Sequence, residues 1–412
     1  MMKVSMSEPR RGNRDLIKAM NRNLVLNMIR TQGPLSRTQL TEVTGLSVGA
    51  VSQITNDLLA GDWILAVGEG DYTGGRRQMM LRLNPTKGHV IGLKLTESQV
   101  FCALTDLETK VMKYIEQPLN CEHTPEAISD VIGDVVKRAI FEADVARSQI
   151  LGVGIGLAGI VDNQLGIVRY SPFFHWRNIP LAKLVGDRLA LPVYVENDVN
   201  TLTITEQLFG PGRTVENFAV VTVGRGVGMG MVLNHRLYQG GAGGTGEIGH
   251  ITLDPNGPQC DCGKRGCLES LASDPAVISY VEQQLAAGVD SVMISPLELS
   301  DIIQAADEDD QLARHALARS GRYLGMGLSV VVNMLTPTLI IVSGEGVVAG
   351  DYRLQSMFEA LSEHSFGNLM ENIEIVVEPT NDQSWARGAA GFVVGKLFES
   401  PLISVHQPEA IS

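Results

Sequence analysis

The chain has 412 residues, of which 44% are hydrophobic and 19% are charged, and it carries a net charge of −13 at pH 7. This length exceeds what one compact core supports, so several globular domains are expected. Five cysteines are too few for a disulfide framework in a chain of this size. An apolar run of about 18 residues and an apolar leader after Met1 are both missing, which predicts a cytoplasmic protein without a membrane span.

The net charge is distributed unevenly along the chain. Residues 1–87 hold 12 of the 33 lysines and arginines and 7 of the 46 aspartates and glutamates. This segment therefore carries +5 and the remainder carries −18. A basic first segment ahead of an acidic body suggests that only the first segment contacts phosphates.

Three helices and a hairpin are predicted within residues 1–87. Apolar residues at helical spacing, the breaker Gly33-Pro34 and the N-cap residues Ser36 and Ser47 define the helices. Short apolar runs on either side of a glycine-rich tip define the hairpin. The predicted helices are Asn13–Thr31, Arg37–Thr44 and Val48–Leu59, and the predicted strands are Trp63–Val67 and Gln78–Leu83. Two short helices joined by a glycine turn and followed by such a hairpin form a winged helix-turn-helix, an all-α unit with a wing.

The third predicted helix has the side chains of a DNA recognition helix. Short polar residues in its first turns can contact base edges in the major groove. Two arginines at the hairpin tip can enter a minor groove or bind phosphates. The predicted DNA-binding residues are Ser47, Ser52, Gln53, Asn56, Arg76 and Arg77. The alternative is a protein-docking module whose two arginines are solvated surface charges, but the helices, hairpin and local +5 charge together favour double-stranded DNA.

From His89 onward strands and helices alternate to the C-terminus, which predicts an α/β domain with open, mixed sheets. The predicted domains are therefore 1–87 and 88–412. Glycine-rich loops follow several predicted strands, at 156–159, 224–230, 240–249 and 344–346. Open α/β sheets bind ligands at such loops.

One histidine and three cysteines have the spacing of a metal site. Cys260, Cys262 and Cys267 lie within eight residues, and His250 precedes them. Three thiolates and one imidazole make a closed tetrahedral zinc site, which leaves no open position for a catalytic water. The alternative is a set of reduced thiols without metal, but the tight spacing favours zinc.

The Cys-x-Cys-Gly-x-x-Gly-Cys-x-Glu pattern at 260–269, with Glu-x-Gly-His at 247–250, resembles the ROK family of repressors, open reading frames and sugar kinases. The similarity extends over nearly the whole chain. Residues 1–87 resemble the DNA-binding segment of its repressor branch, and the loops at 156–162, 196–200 and 224–228 resemble its sugar and phosphate loops. The resemblance implies an actin-like ATPase (ribonuclease H-like) two-lobed sugar-kinase fold, with a zinc-binding loop at about 246–269.

The resemblance also implies a sugar in the cleft between the lobes. Carried over by motif, the residues that contact the sugar hydroxyls are Asn197, Asp198, Glu247, His250 and Glu269. Carboxylates and an amide suit hydroxyl groups, which both donate and accept hydrogen bonds. His250 can bind zinc through one ring nitrogen and a hydroxyl through the other. The alternative is that Glu247 and Glu269 are ordinary loop carboxylates. Xylose, glucose and N-acetylglucosamine all remain open as the sugar.

Asp198 matches the family's catalytic base, but the first phosphate loop departs from that of the kinases. The kinases carry Asp-x-Gly-Gly-Thr, in which backbone N–H groups approach phosphate. Here Lys94 replaces the Asp, and Thr96, Glu97 and Ser98 replace Gly-Gly-Thr. Because positioning and charge neutralisation supply most phosphoryl-transfer catalysis, we expect sugar binding without turnover. Asp198 would then be a vestigial base, and the protein would not be an enzyme.

These features predict a regulator that represses carbohydrate-utilisation genes, binds its operator as a homodimer or higher homo-oligomer, and is released by sugar. One alternative is an active ATP-dependent sugar kinase with an accessory DNA-binding head. Another is an architectural DNA-binding subunit with a vestigial cleft. The substitutions at 94–98 argue against the kinase, and the intact set of Glu247, His250 and Glu269 argues against the vestigial cleft.

Overall fold

The computed structural model describes residues 14–69, 78–241 and 243–399. Within these ranges the chain forms two compact units. The first unit comprises the residues up to His89 together with 106–110 and 394–399, and the second comprises 90–105 and 111–393. The first unit thus includes two segments from beyond the predicted boundary between residues 87 and 88. The predicted hairpin tip, with Arg76 and Arg77, lies outside the described residues.

Among its described residues, the first unit folds into three helices and a three-stranded antiparallel sheet with the strand order β1-β3-β2. The helices are α1 (Arg14–Gln32), α2 (Arg37–Thr44) and α3 (Val48–Ala60), and the strands are β1 (Leu35–Ser36), β2 (Ile64–Glu69) and β3 (Met79–Leu83). A capping box between Ser36 and Gln39 begins α2, and Gly45, at φ 68, ends it. Ser47 caps α3. Because these signals are local, all three helices match their predicted bounds to within one residue.

The remaining elements alternate along the chain as predicted. The strands are β4 (His89–Leu95), β5 (Gln99–Thr105), β6 (Val111–Pro118), β7 (Ile150–Leu157), β8 (Ile160–Asp162), β9 (Ile167–Ser171), β10 (Trp176–Ile179), β11 (Val193–Asn197), β12 (Phe218–Val223), β13 (Val227–Leu233), β14 (Arg236–Leu237), β15 (Leu339–Gly344) and β16 (Glu374–Pro379). The helices are α4 (Pro125–Glu142), α5 (Leu181–Leu189), α6 (Asp198–Phe209), α7 (Leu268–Ala272), α8 (Asp274–Ala286), α9 (Leu299–Asp307), α10 (Gln311–Leu335), α11 (Asp351–His364) and α12 (Asp382–Leu397).

The second unit contains two five-stranded mixed sheets with equivalent strand orders, β11-β7-β4-β5-β6 and β16-β15-β12-β13-β14. In each sheet, three consecutive strands pair antiparallel, and two later strands run parallel to each other beside the first of the three. This repetition confirms the predicted two-lobed ATPase-type fold. The two sheets are called lobe 1 and lobe 2 below.

Helix α12 lies directly on the sheet of lobe 1. A Cβ atom at Gly92 on β4 would lie 2.0 Å from the carbonyl oxygen of Ala386, and one at Gly154 on β7 would lie 2.2 Å from that of Ala389. Only a residue without a side chain permits this approach. None of the described helices combines the length and apolarity needed to cross a bilayer.

Replacing Gly154 with alanine should therefore destabilise the second unit, because the added methyl group would meet the backbone of α12. Overpacking of this kind costs about 1–3 kcal/mol, so we expect differential scanning calorimetry to show a lower melting temperature. Gly186→Ala in α5 is the matched control, since its added methyl would meet no atom closer than 3.6 Å. Alanine also stabilises a helix interior relative to glycine. Equal melting temperatures for the two variants would contradict the close packing of α12.

Candidate functional site

The four predicted metal ligands come together in the structure. The ligand atoms of His250, Cys260, Cys262 and Cys267 all lie within 4.8 Å of one another. His250 Nδ1 is 3.6 Å from Cys260 Sγ, and Cys262 Sγ is 3.6 Å from Cys267 Sγ. Ligands about 2.3 Å from a zinc ion lie about 3.8 Å apart along the edges of a tetrahedron. The donor set and its spacing therefore fit a tetrahedral zinc ion.

Two glycines shape the loop that carries the cysteines. Gly263 and Gly266 have φ angles of 90° and 60°, in the left-handed region that residues with side chains rarely adopt. A Cβ atom at Gly266 would lie 1.5 Å from the carbonyl oxygen of Asp254. The backbone N–H of Cys260 donates to the carbonyl of Lys264 at 2.8 Å. This tight turn directs the three thiols towards His250.

The end of β11 and the start of α6 hold two of the predicted sugar-binding residues. Asn197 caps α6: its Oδ1 accepts from the backbone N–H of Asn200 at 3.2 Å, and its Nδ2 donates to the carbonyl of Gly159 at 3.1 Å. Asp198 Oδ1 accepts from the backbone N–H of Val199 at 2.9 Å. Both side chains are thus oriented by backbone groups, and the Asp198 carboxylate benefits from the positive end of the helix dipole.

The other predicted sugar-binding residues surround the metal ligands. His250 Nε2, on the far side of the ring from Cys260, is 3.9 Å from Glu247 Oε2. Glu269 lies in the first turn of α7, and its Oε2 accepts from the backbone N–H of Val227 at 3.1 Å.

The carboxylate of Glu247 interacts electrostatically with those of Glu269 and Asp198. The Glu247 side chain is 46% exposed, yet partial desolvation in the cleft raises its pKa. The carboxylates of Glu269 and Asp198 add to this effect. Asp198, Glu247 and Glu269 thus form one acidic cluster.

A residue that the sequence did not single out, Glu196, organises this cluster. Its buried carboxylate accepts hydrogen bonds from Asn163 Nδ2 at 2.6 Å, from the backbone N–H of Asn197 at 2.7 Å and from Asn200 Nδ2 at 3.1 Å. Gln239 Nε2 donates to the same carboxylate. The only sequence signal was its place beside Asn197 in the family-like loop.

The segment 94–98, predicted to be a substituted phosphate loop, contacts other predicted site residues. The Lys94 ammonium forms an ion pair with Asp198 Oδ2. Glu97 Oε1 lies 3.7 Å from Nη2 of Arg225, which belongs to the second phosphate-like loop. Thr96 and Ser98 complete the turn between β4 and β5 with Glu97. By the sequence alignment, Thr96 and the charged Glu97 therefore stand where the kinase pattern has two glycines.

Four of the six predicted DNA-binding residues lie on or beside α3. Ser47 is exposed at the helix start, and Ser52 is half-buried. Gln53 and Asn56 are exposed, but each has a partner: Gln53 Nε2 donates to Asp57 Oδ1 at 2.9 Å, and Asn56 Oδ1 accepts from Arg37 at 2.8 Å. The other two residues, Arg76 and Arg77, lie outside the described ranges.

Sequence reasoning missed two further residues on this face. Arg37, at the start of α2, bonds both Thr55 and Asn56 of α3 and so fixes the angle between the two helices. Val48 is 70% exposed in the first turn of α3. An apolar side chain at this position can contact a thymine methyl group in the major groove.

Comparisons with known proteins agree with this architecture. The chain is 29% identical to a xylose repressor of Caldicellulosiruptor bescii over 95% of its own length and 99% of the relative's. It is 30% identical to the DNA-binding transcriptional dual regulator NagC of Escherichia coli, over 93% of this chain and 94% of that protein.

Two solved structures show the same fold at different coverage. A ROK family transcriptional regulator, a homologue of the E. coli MLC protein, superposes with a TM-score of 0.83 and 27% identity over 95% of this chain and 99% of that chain. A ROK family glucokinase from Streptomyces griseus in complex with glucose and AMPPNP superposes with a TM-score of 0.63 and 27% identity. This match covers 74% of this chain and 99% of that chain. The sequence model of the ROK family matches residues 90–396, and the chain therefore belongs to the ROK family.

Proposed function

We propose that this protein is a sugar-responsive transcriptional regulator that represses carbohydrate-utilisation genes and leaves its operator when a sugar binds. The observation that carries the proposal is the acidic cluster beside His250, in a chain whose first unit is a helix-turn-helix. The similar xylose repressor and the DNA-binding regulator NagC support it.

The chemistry of the cleft favours an uncharged sugar. Asp198, Glu247 and Glu269 accept hydrogen bonds from hydroxyl groups, while the Asn197 amide and His250 Nε2 complete the set. Carboxylates in mutual electrostatic contact repel an anionic ligand. We infer that the effector is a neutral pentose, hexose or amino-sugar derivative.

We infer that zinc has a structural function in this site. The ion would have four protein ligands, which are His250, Cys260, Cys262 and Cys267. Zinc would then stabilise the loop and have no open position for catalysis. Glu247 precedes the first ligand by three residues, and Glu269 follows the last by two. Ordering the loop therefore orders both carboxylates for the sugar.

The alternative function, an active sugar kinase, is favoured only by the fold shared with the glucokinase. Three observations argue against kinase activity. Lys94 pairs with the carboxylate of Asp198, Glu269 accepts from the backbone N–H of Val227 in the second phosphate-like loop, and Glu97 adds a negative charge. Phosphoryl transfer needs neutralising groups and open backbone donors at these positions.

For the DNA-binding step, α3 is proposed to enter the major groove with Ser47, Ser52, Gln53 and Asn56, and the arginines Arg76 and Arg77 to contact the minor groove or phosphates. One such unit makes few base contacts, so we propose a dimer or higher homo-oligomer on a palindrome with half-sites about 34 Å or a multiple apart. A sugar that prefers one conformation of the protein shifts the DNA equilibrium by its differential affinity. These partners imply action in the cytoplasm.

Elemental analysis of the purified protein should find one zinc ion per chain. Cys260→Ser removes a thiolate, so zinc content should fall, and sugar affinity should fall with it because the flanking carboxylates lose their order. Cys102→Ser, which changes a thiol on β5 outside the site, is the matched control and should retain its zinc. Wild-type protein without zinc after chelator-free purification would contradict the metal assignment.

A coupled ATPase assay with D-xylose, D-glucose or N-acetyl-D-glucosamine should detect no sugar-dependent turnover. Replacing Thr96 and Glu97 with glycine should not restore it, because Lys94 still replaces the Asp of the kinase pattern. Turnover above the sugar-free rate would identify the protein as a kinase.

An operator fragment should bind more weakly in saturating sugar. Gln53→Ala should weaken operator binding about fivefold or more without changing sugar affinity, since it removes a base contact worth about 1–3 kcal/mol. Gln283→Ala, at an exposed position on α8, is the control for the same substitution. Asp198→Asn should bind the operator normally and ignore sugar. Fluorescence anisotropy measures all four proteins.

Two outcomes of this titration would change the proposal. Equal operator affinity with and without sugar would refute control by sugar. Tighter binding in sugar would make the sugar a co-repressor.

A further inference from the structure

Lys94 and Asp198 form a buried pair of opposite charge in the acidic cleft. Lys94 lies on β4 and Asp198 begins α6, 104 residues later. The two side chains are only 12% and 10% exposed. The pair is thus largely shielded from bulk water.

The ammonium group of Lys94 is held in place by aromatic and acidic neighbours. It lies 4.4 Å from the centre of the Trp385 ring, a cation–π contact. The Trp385 indole N–H in turn donates to Glu345 Oε1, which fixes the ring. An ammonium has three N–H donors, and Asp198 uses one of them in this structure. Two N–H donors of the ammonium are therefore not used by Asp198.

We propose that Lys94 is a sugar-binding residue: its ammonium donates to the oxygen of the hydroxyl group whose hydrogen Asp198 accepts. A hydroxyl is both donor and acceptor, and an adjacent ammonium and carboxylate match both capacities at once. This inference rests on the proposed function, because it adds a residue to the same sugar site. The substitution that argues against phosphoryl transfer would then have a positive function in ligand selection.

The surrounding charge argues that the group bound here is a hydroxyl and not a phosphate. Lys94 acts electrostatically on the carboxyl groups of Glu345 and Asp382 in addition to its pairing with Asp198. One ammonium therefore faces three acidic side chains. A phosphate at this position would meet their combined repulsion, whereas a neutral hydroxyl would not.

Isothermal titration with a protein–ligand double-mutant cycle tests the proposal. D-Xylose, D-glucose and N-acetyl-D-glucosamine are titrated first, and the tightest binder is then compared with its monodeoxy analogues. Lys94→Met should weaken binding of the parent sugar about tenfold or more, the usual effect of losing a hydrogen bond from a charged group. One monodeoxy analogue should bind wild-type protein about as weakly, and Lys94→Met should weaken that analogue little further.

Two control variants separate ligand contact from folding. Lys113→Met makes the same substitution in β6, where Lys113 pairs with Glu142 at 2.6 Å, and should leave sugar affinity unchanged. Lys94→Gln keeps an N–H donor without the charge, so its affinity for the sugar should lie between those of wild-type protein and Lys94→Met. If Lys94→Met does not fold, Lys94→Gln still tests the contact.

The outcomes are distinct. The proposal would be overturned if a folded Lys94 variant bound the parent sugar as tightly as wild-type protein or more tightly. It would also be overturned if wild-type protein and Lys94→Met lost the same affinity for every monodeoxy analogue relative to the parent sugar. Tighter binding of glucose 6-phosphate than of glucose would also overturn it, by showing an anion site at Lys94. If wild-type protein binds none of the three sugars, the proposed function fails instead.

Discussion

The proposed sugar site depends on the hydrogen bonds made to one buried carboxylate. Removing a carboxylate such as Glu196 from water is costly unless hydrogen bonds replace its hydration. Its donors come from the β8–β9 turn, the start of α6 and the segment before the metal ligands, represented by Asn163, Asn200 and Gln239. Satisfying a single charge therefore holds three separate segments together. Asn197, whose backbone N–H is a fourth donor, is oriented as a result.

The proposed zinc site extends the same constraint to the second half of the cleft. Cys267 is the N-cap residue of α7, so the position of the last metal ligand determines where that helix begins. Glu269, in its first turn, then accepts from the backbone of Val227 on β13. One series of contacts consequently connects the predicted metal ligands to α7 and to the second phosphate-like loop. The backbone N–H of Val227 in that loop therefore donates to a carboxylate of the same chain, that of Glu269.

The features predicted correctly from the sequence were those encoded locally. The helix-turn-helix depends on caps such as Ser36 and Ser47 within a few residues of the helices they begin. The alternating strands and helices likewise follow from periodicity, and the clustering of His250 with the three cysteines follows from their spacing. Contacts between distant segments could not be predicted. The side chain of Asn27 on α1, for example, donates to the carbonyl of Phe398 at 2.7 Å, 371 residues away. The function of Glu196 was missed for the same reason, since its partners are spread from residue 163 to residue 239.

Lys94 stands where the kinase pattern has an aspartate. This reversal of charge changes the electrostatics of the proposed sugar site as well as its chemistry. Asp198, Glu247 and Glu269 interact as like charges, and this repulsion contributes to the raised pKa of Glu247. An aspartate at position 94, as in the kinase pattern, would add another negative charge beside Asp198. The ammonium of Lys94 instead supplies a counter-ion from within the chain, close to the most buried of these acids. The acidic groups suited to sugar hydroxyls can therefore remain together without phosphate-bound cations to neutralise them. The replacement that we propose to oppose phosphoryl transfer would thus also favour an acidic sugar site.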